Sequence, residues 1–362
     1  MGENIEVIGI TKKILREALE QNTYWKDIVA PLPKSKAAWL VANKRIAEED
    51  YCGVIALDNE KVCAFIYMIP DVLNKTSAKA YWMIDWWVQD QYKNTVLGTY
   101  IYNQAVQFAG NQILVKAYTE NVKAFYDKQD FKVIASRLRY TLFFSLDASI
   151  LMARFSFLKP FKFFVKGIDA FVAACVRQIN TFKLGQKTKN LHYEYISELD
   201  EETWSMLKPS VENDLILKTK DYINWQISNS QYLQTPIAQK SPRKTLQTGM
   251  SANIYLHNVK ILLGDKTIGL LSYTVNYNEF NVKYFIVDSE ANYELCIDAL
   301  IEHLIQSKRN FIFTDDTTLA QAIQQRYFTV FTHKVLKKGL AHNAIAFNFE
   351  GLSMFNRDGH FY

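Results

Sequence analysis

The sequence predicts an α/β (α+β) chain of two modules, each a mixed, mostly antiparallel sheet flanked by helices, joined by a basic helical connector. Three observations predict this. The length, 362 residues, exceeds one ordinary domain of about 100–200 residues. The order of β-rich and helical runs before residue 148 recurs after residue 190. The charge is localised between them: the net +5 resolves into a +7 stretch from Arg154 to Lys189, with eight cations and the single acid Asp169, and a remainder of −2. The expected organisation is therefore 1–148, a basic amphipathic connector 149–189, and 190–362. With 49% hydrophobic and 22% charged residues, the chain is apolar enough to bury a core and too apolar to be disordered.

In the first module, Lys12 to Gln21 and Ala37 to Glu49 are helical by composition. YCGVIALDNEKVCAFIYMI then gives two β-rich runs around a turn at Asp58, Asn59 and Glu60, a hairpin. AYWMIDWWVQD suits a strand covered on both faces, and Leu97, Ile101, Ala105 and Phe108 recur at helical spacing after it. QILVKAY is a strand, NVKAFYDKQ a short helix, and FKVIASRL and YTLFFSL two further β-rich runs.

The connector alternates large apolar residues with cations, and Pro160 and Gly167 argue against one unbroken helix. Two readings follow: an interdomain helix whose Phe and Leu face packs on the modules, or an amphipathic segment lying on an anionic membrane surface. Nucleic acid is not the expected partner. In the second module, ANIYLHNVKILLGDKTIGLLSYTV turns at Gly264, Asp265 and Lys266, and NVKYFIVD is the next strand. ANYELCIDALIEHLIQS is a helix with Cys296, Leu300 and Leu304 on one face. NFIFTDD, the helix TTLAQAIQQR, and the runs FTVFTHKVL and AHNAIAFNF complete the pattern. Asp315 and Asp316 stand where a strand ends and a helix begins, which suits an N-cap.

Two motifs carry a resemblance. Val88-Gln89-Asp90-Gln91-Tyr92-Lys93-Asn94-Thr95-Val96-Leu97-Gly98 links a central strand to a helix start, and Asn121, Ala124, Tyr126 and Phe131 form a spaced set beyond it. With these, the first module resembles the GNAT (Gcn5-related N-acetyltransferase) fold, in which Arg/Gln-x-x-Gly-x-Gly/Ala opens a helix that holds the pyrophosphate of acetyl-CoA on backbone N–H groups. Lys93 matches the Arg/Gln position and Gly98 the last glycine, while Asn94 and Val96 stand where small residues are usual. The resemblance implies acetyl-CoA as cosubstrate, bound by Val88, Lys93, Asn94, Thr95, Val96, Leu97, Gly98 and Asn121. It implies Tyr126 as general acid to the departing thiolate, with Phe131 matching the family's Gly-Phe step and Asp130 in place of the glycine. An acid on the strand before the loop often serves as base in such enzymes. Asp85 is the carboxylate in that run, and Trp82, Trp86 and Trp87 are expected to desolvate it. A backbone N–H near Val88 is expected to polarise the thioester carbonyl.

The second module resembles a degenerate copy. Val287 to Leu295 has no glycine and places Asp288, Glu290 and Glu294 where a pyrophosphate would sit, and Ile323 falls opposite Tyr126. The tandem arrangement is similar to that of mycothiol synthase and of the Fem peptidoglycan transferases.

Other chemistries find no signal. Four separated cysteines (Cys52, Cys63, Cys175, Cys296) give neither a CxxC pair nor a disulfide framework, and reduced core thiols are expected. Six scattered histidines lack metal-ligand spacing, so no metal is expected. No Walker A, GxGxxG or GxSxG occurs. The first residues have no signal-peptide pattern, and Glu6 stands where a myristoylation motif needs Ser or Thr. Lys162, Lys166, Asp169 and Arg177 argue against a membrane-spanning stretch at Phe161 to Asn180, so a cytoplasmic protein is expected. The expected function is N-acyl transfer from CoA to a small-molecule or peptide amine, with the donor site in the first module. The alternatives are a non-catalytic tandem scaffold or a membrane-surface transferase of the Fem type.

Overall fold

The computed structural model describes residues 5–25, 32–118, 120–232 and 254–359. In chain order the first elements are β1 (Ile5–Thr11), α1 (Lys12–Gln21), α2 (Lys34–Val41), β2 (Tyr51–Asp58), β3 (Lys61–Val72), β4 (Lys79–Val88), α3 (Leu97–Phe108) and β5 (Ile113–Val115). Next come α4 (Glu120–Tyr126), β6 (Phe131–Phe143), α5 (Ala148–Arg154), α6 (Lys162–Leu184), β7 (Leu191–Tyr195), α7 (Glu201–Val211) and α8 (Lys220–Gln226). The last are β8 (Tyr255–Leu263), β9 (Lys266–Asn276), β10 (Glu279–Val287), α9 (Tyr293–Ser307), β11 (Phe311–Thr314), α10 (Thr317–Arg326) and β12 (Phe331–His342).

The chain forms two compact units, each assembled from three stretches: Met1–Arg137, Val211–Ile237 and Lys337–His360 in one, Leu138–Ser210, Ala238–Leu336 and Phe361–Tyr362 in the other. This division differs from the contiguous 1–148 and 190–362 expected from sequence, and its cause is visible within each unit.

In the first unit the strand order is β1-β2-β3-β4-β5, followed by residues 337–342 of β12 and 131–137 of β6. The pairs are antiparallel from β1 to β4 and parallel between β4 and β5. β12 closes the far side of β5 through Leu340↔Val115 and Ala341↔Leu114. Because β5 reads Ile-Leu-Val and all three are fully buried, it needs a partner on each side and cover on both faces. Leu97, Ile101 and Ala105 of α3 pack on Val54, Ile66 and Met68 in the core, as their spacing predicts. Phe108 stacks on Tyr51 with ring centroids 4.5 Å apart and occupies the space beside Gly9, where a Cβ would meet it at 2.8 Å.

Polar groups tie the late stretches into this unit. Trp39 and Trp225 stack at 4.0 Å, and each indole N–H donates to the other's backbone carbonyl, at 2.8 and 2.6 Å. Buried Asp71 accepts from the Tyr222 hydroxyl at 2.6 Å and the Trp82 indole at 3.2 Å, with the Arg45 guanidinium 3.5 Å away. Lys218 and Asp358, both fully buried, pair at 2.8 Å, and Arg357 grips Asp214 with two hydrogen bonds. Breaking such a pair by truncating one member strands a buried charge.

In the second unit residues 331–336 of β12 and 138–143 of β6 precede β11, β10, β9, β8 and β7. β6 pairs antiparallel with β11 through Phe311↔Phe143, while β10 and β11 run parallel. Cys296, Leu300 and Leu304 of α9 face the core as expected. Buried Asp298 on the same helix receives Arg326 in a fork and the Tyr327 hydroxyl. α6 lies beside α9, with Val176 and Leu184 in the core and Asn180 exchanging two hydrogen bonds with the backbone of Phe328.

Several sequence expectations change. β1 is an added strand before the first helix. The second helix ends at Val41 instead of Glu49, because Asn43 and Asp50 side chains accept from the N–H groups of Arg45 and Ala47 and the Lys12 ammonium binds the carbonyls of Asn43 and Ile46. These local bonds replace helical ones. FKVIASRL and YTLFFSL are one 13-residue strand, and AHNAIAFNF is not a strand beyond His342. In the connector, Pro160 sits in a short 3-10 turn, but Gly167 lies inside the 23-residue α6. Cys175 is exposed and not a core thiol, whereas Cys52, Cys63 and Cys296 are buried. Asp316 caps α10, its side chain accepting from the Leu319 N–H at 2.9 Å. The start of the β8 run at Ala252 and the last histidine, His360, lie outside the described residues.

Candidate active site

The expected site centres on β4 and the helix after it. β4 pairs with β3 with a register break: Tyr67 faces Ile84 and Phe65 faces Trp87, so Asp85 and Trp86 together oppose Ile66. This is a β-bulge, and Asp85 adopts φ 48°, a left-handed conformation that Asp tolerates better than most side chains. On its other side β4 is paired with β5 only at Tyr81 and Trp82. Beyond those residues no strand among the described residues is paired with that edge. The Gln89 N–H reaches the Cys63 carbonyl at 2.9 Å, so the neighbouring pair Val88↔Ala64 is a non-hydrogen-bonded one. By the antiparallel alternation, the Val88 N–H therefore points away from β3, toward the unpaired edge.

Asp85 keeps about a third of its side chain exposed and lies 3.5 Å from the Lys36 ammonium, which is itself buried. Burial lowers the Lys36 pKa to about 8 against the opposing pull of Asp85. The buried Tyr67 hydroxyl, which makes no hydrogen bond among the described residues, is pushed well above its ordinary pKa, first by burial and then by the Asp85 charge. The three tryptophans expected to desolvate Asp85 are engaged elsewhere: Trp82 with Asp71, Trp87 stacked on Phe65 at 5.3 Å, and Trp86 against Tyr102 and Phe125. Lys36 is the neighbour that sequence reasoning missed; nothing in KSKAAWL distinguishes it from a surface lysine.

After β4 the chain makes a short 3-10 turn over Asp90–Tyr92 and enters α3. The Tyr92 hydroxyl is bonded to Asp58, and Lys93 pairs with Asp90 at 2.5 Å. The Thr95 hydroxyl donates to the Tyr92 carbonyl at 2.8 Å and accepts from the Leu97 N–H at 3.2 Å, fixing the entry to the helix. Among the described residues the N–H groups of Asn94, Val96, Gly98 and Thr99 make no hydrogen bond within the protein. They carry the positive end of the helix dipole. Val96 has helical φ −72° and ψ −8°, and 66% of it is exposed, so its side chain leaves the turn uncovered. Gly98 is needed for close approach: a Cβ there would lie 3.3 Å from Val88 Cγ2 and 3.6 Å from the Trp86 ring. The indole N–H of Trp86, 3.9 Å from that point, is buried without a partner among the described residues.

Tyr126, at the end of α4, packs edge-on against Tyr102 and Phe131 and lies 5.5 Å from the Tyr118 ring. Tyr102 in turn stacks on Trp86, so one aromatic row joins Tyr126 to the bulge. Burial pushes the Tyr126 pKa up to about 12, which keeps the hydroxyl protonated at neutral pH. Asn121 lies in the first turn of α4, and its side chain is outside what is described.

The second unit has the same bulge in β10, between Val282 and Tyr284, but a different helix entry. Asp288 accepts from Lys266 at 2.6 Å and from Asn292 at 2.8 Å, filling the turn with side chains, and Ile323 is buried. Among the described residues, no group of three His, Cys, Asp or Glu is placed to hold a metal ion, and no helix is long and apolar enough to cross a membrane.

No protein-family model and no curated protein sequence matches this chain. Among solved structures it is similar to a GCN5-related N-acetyltransferase from Kribbella flavida, at 10% identity and TM-score 0.46, over 94% of this chain and 73% of that one. A GCN5-related N-acetyltransferase from Anabaena variabilis gives 10% identity and TM-score 0.45, over 93% and 72%. The N-myristoyltransferase of Saccharomyces cerevisiae, solved with bound myristoyl-CoA and inhibitors, gives 13% identity and TM-score 0.49, over 94% and 81%.

Proposed function

We propose that this protein transfers an acyl group, with acetyl the simplest case, from CoA to a small-molecule or peptide amine, using a donor site in the first unit. The observation that carries this reading is the unpaired edge of β4, where the Val88 N–H and the free N–H groups opening α3 lie beside one bulge. The pyrophosphate sits on the free N–H groups of Asn94, Val96, Gly98 and Thr99, with Lys93, Asn94, Thr95, Val96, Leu97 and Gly98 forming the turn. The thioester carbonyl accepts from the Val88 N–H. The amine nitrogen attacks the carbonyl carbon, the C–N bond forms, and the negative charge on oxygen is held by that N–H. Collapse breaks the C–S bond; the thiolate takes its proton from Tyr126, and the ammonium gives its proton to Asp85.

The test is calorimetry and thermal melting with acetyl-CoA. Ligand at a hundredfold excess over Kd raises stability by about 2.7 kcal/mol if only the folded state binds it. Thiol release on adding a panel of amines then reports transfer. An unchanged melting temperature at millimolar acetyl-CoA would sink the reading and leave a scaffold without a CoA site.

A further inference from the structure

We propose that α5, the turn after it and α6 form a docking face for an anionic lipid surface. Nine of the nineteen exposed large hydrophobic residues of the described chain fall between Phe155 and Phe182. Phe163 and Phe182 are each 87% exposed, and Phe157, Phe164 and Phe171 about 70%. Ordinary soluble surfaces scatter such residues singly.

Their placement on α6 is ordered. Val172, Val176, Asn180 and Leu184, spaced by four, turn inward to the second unit's core. Phe164, Ile168, Phe171, Cys175, Ile179 and Phe182 recur every three or four residues on a separate side of the helix, about a third of a turn from the buried row, and all six are exposed. The helix is thus apolar on two faces, of which one has a partner. The helix packs on the second unit through Val172, Val176 and Leu184, as one reading of the connector expected, but these Phe side chains are exposed.

Charge selects the occupant. Arg154, Lys159, Lys162, Lys166, Arg177, Lys183, Lys187 and Lys189 make no ion pair among the described residues. The one acid, Asp169, is consumed internally: its carboxylate accepts from the N–H groups of Leu146, Asp147 and Ala148 at 2.9 to 3.0 Å. An aromatic stripe on a segment of net +7 with no internal counter-ion matches a negatively charged leaflet: the stripe enters the acyl boundary while the summed charge of the segment is attracted to the anionic headgroups. A second copy of this chain fits worse, because a two-fold contact would set two +7 segments against each other. The 23-residue α6, carrying five charged residues, lies along the surface and does not cross it.

The experiment is co-sedimentation of the full chain with vesicles of phosphatidylcholine containing about one third phosphatidylserine, and with pure phosphatidylcholine vesicles, at 0.1 M and 1 M salt. Binding to the anionic vesicles is expected to exceed that to neutral ones by about tenfold or more, and to weaken by a similar factor at high salt. The variant F164E/F171E/F182E replaces exposed side chains, so its circular dichroism and melting temperature are expected to match the parent while its vesicle binding is lost. Absence of sedimentation with anionic vesicles overturns the proposal. So does full binding by the folded triple variant, or a dimer in solution that the triple variant dissolves while neither form binds vesicles.

Discussion

Tyr126 and Lys36 are buried for different reasons, and each predicts a different pH behaviour. The Tyr126 hydroxyl makes no hydrogen bond among the described residues, so Tyr126→Phe is expected to change folding stability by less than about 0.5 kcal/mol. If the hydroxyl protonates the leaving thiolate, the same change lowers kcat by about a hundredfold while the Kd for acetyl-CoA stays within twofold. Equal loss in both parameters would mark Tyr126 as a packing residue. With its pKa pushed up to about 12, this hydroxyl stays protonated throughout pH 6–9, and no limb of the rate profile in that range comes from it. Lys36 is lowered to about 8 by burial, below its value in an unfolded chain. From pH 8 to about 10 the unfolded chain therefore holds the extra proton and stability rises with pH; below 8 both states are protonated and the burial penalty is complete. Lys36→Met is expected to remove that rise, an effect on the order of 1–2 kcal/mol between pH 8 and 9.5, read by urea unfolding at the two values. An identical slope in parent and variant would refute it.

At the scale of elements, the join between β4 and α3 depends on Gly98. Gly98→Val drives two methyl groups toward Val88 and Trp86, where even a Cβ is tight, and is expected to cost about 1–3 kcal/mol and to abolish the thermal shift with acetyl-CoA. A retained shift would separate the helix entry from CoA binding. Part of this join was legible beforehand: the strand and the helix stripe Leu97, Ile101 and Ala105 follow from periodicity, while Gly98 was singled out only by the resemblance to the GNAT motif. The bulge was not legible. Asp85 takes a left-handed φ that sequence signals only when glycine occupies the position, and the partner Lys36 comes from a helix with no apolar stripe to orient it. β1 was missed because IEVIGIT is too short and too mixed to announce a strand until β2 is present to pair with it. The helical connector was legible as amphipathic, but which face packs depends on α9, more than a hundred residues later.

At the scale of the whole chain, the order of β-rich and helical runs could be read from the sequence, but which unit each late strand joins could not. Both modules show the same order of runs, and order alone does not say whether the last strand of a module pairs at home. Here residues 337–342 border β5 in the first unit, and residues 138–143 border β11 in the second. A fragment of residues 1–148 lacks Tyr222 and Trp225, as well as the strand beside β5. It leaves Asp71 buried with fewer partners and Trp39 without its stack. It is expected to show no cooperative urea transition, while the full chain does; a sharp transition in the fragment would show that the first module is self-sufficient.

The same arrangement has a consequence during synthesis. Residues 1–137 leave the ribosome long before residues 337–360 exist, and at about 5–20 residues per second the interval is about 10–40 s. Throughout it, the side of β5 that β12 later covers has no strand beside it. An open apolar edge invites pairing with other nascent chains on the same messenger until residues 337–342 cover it.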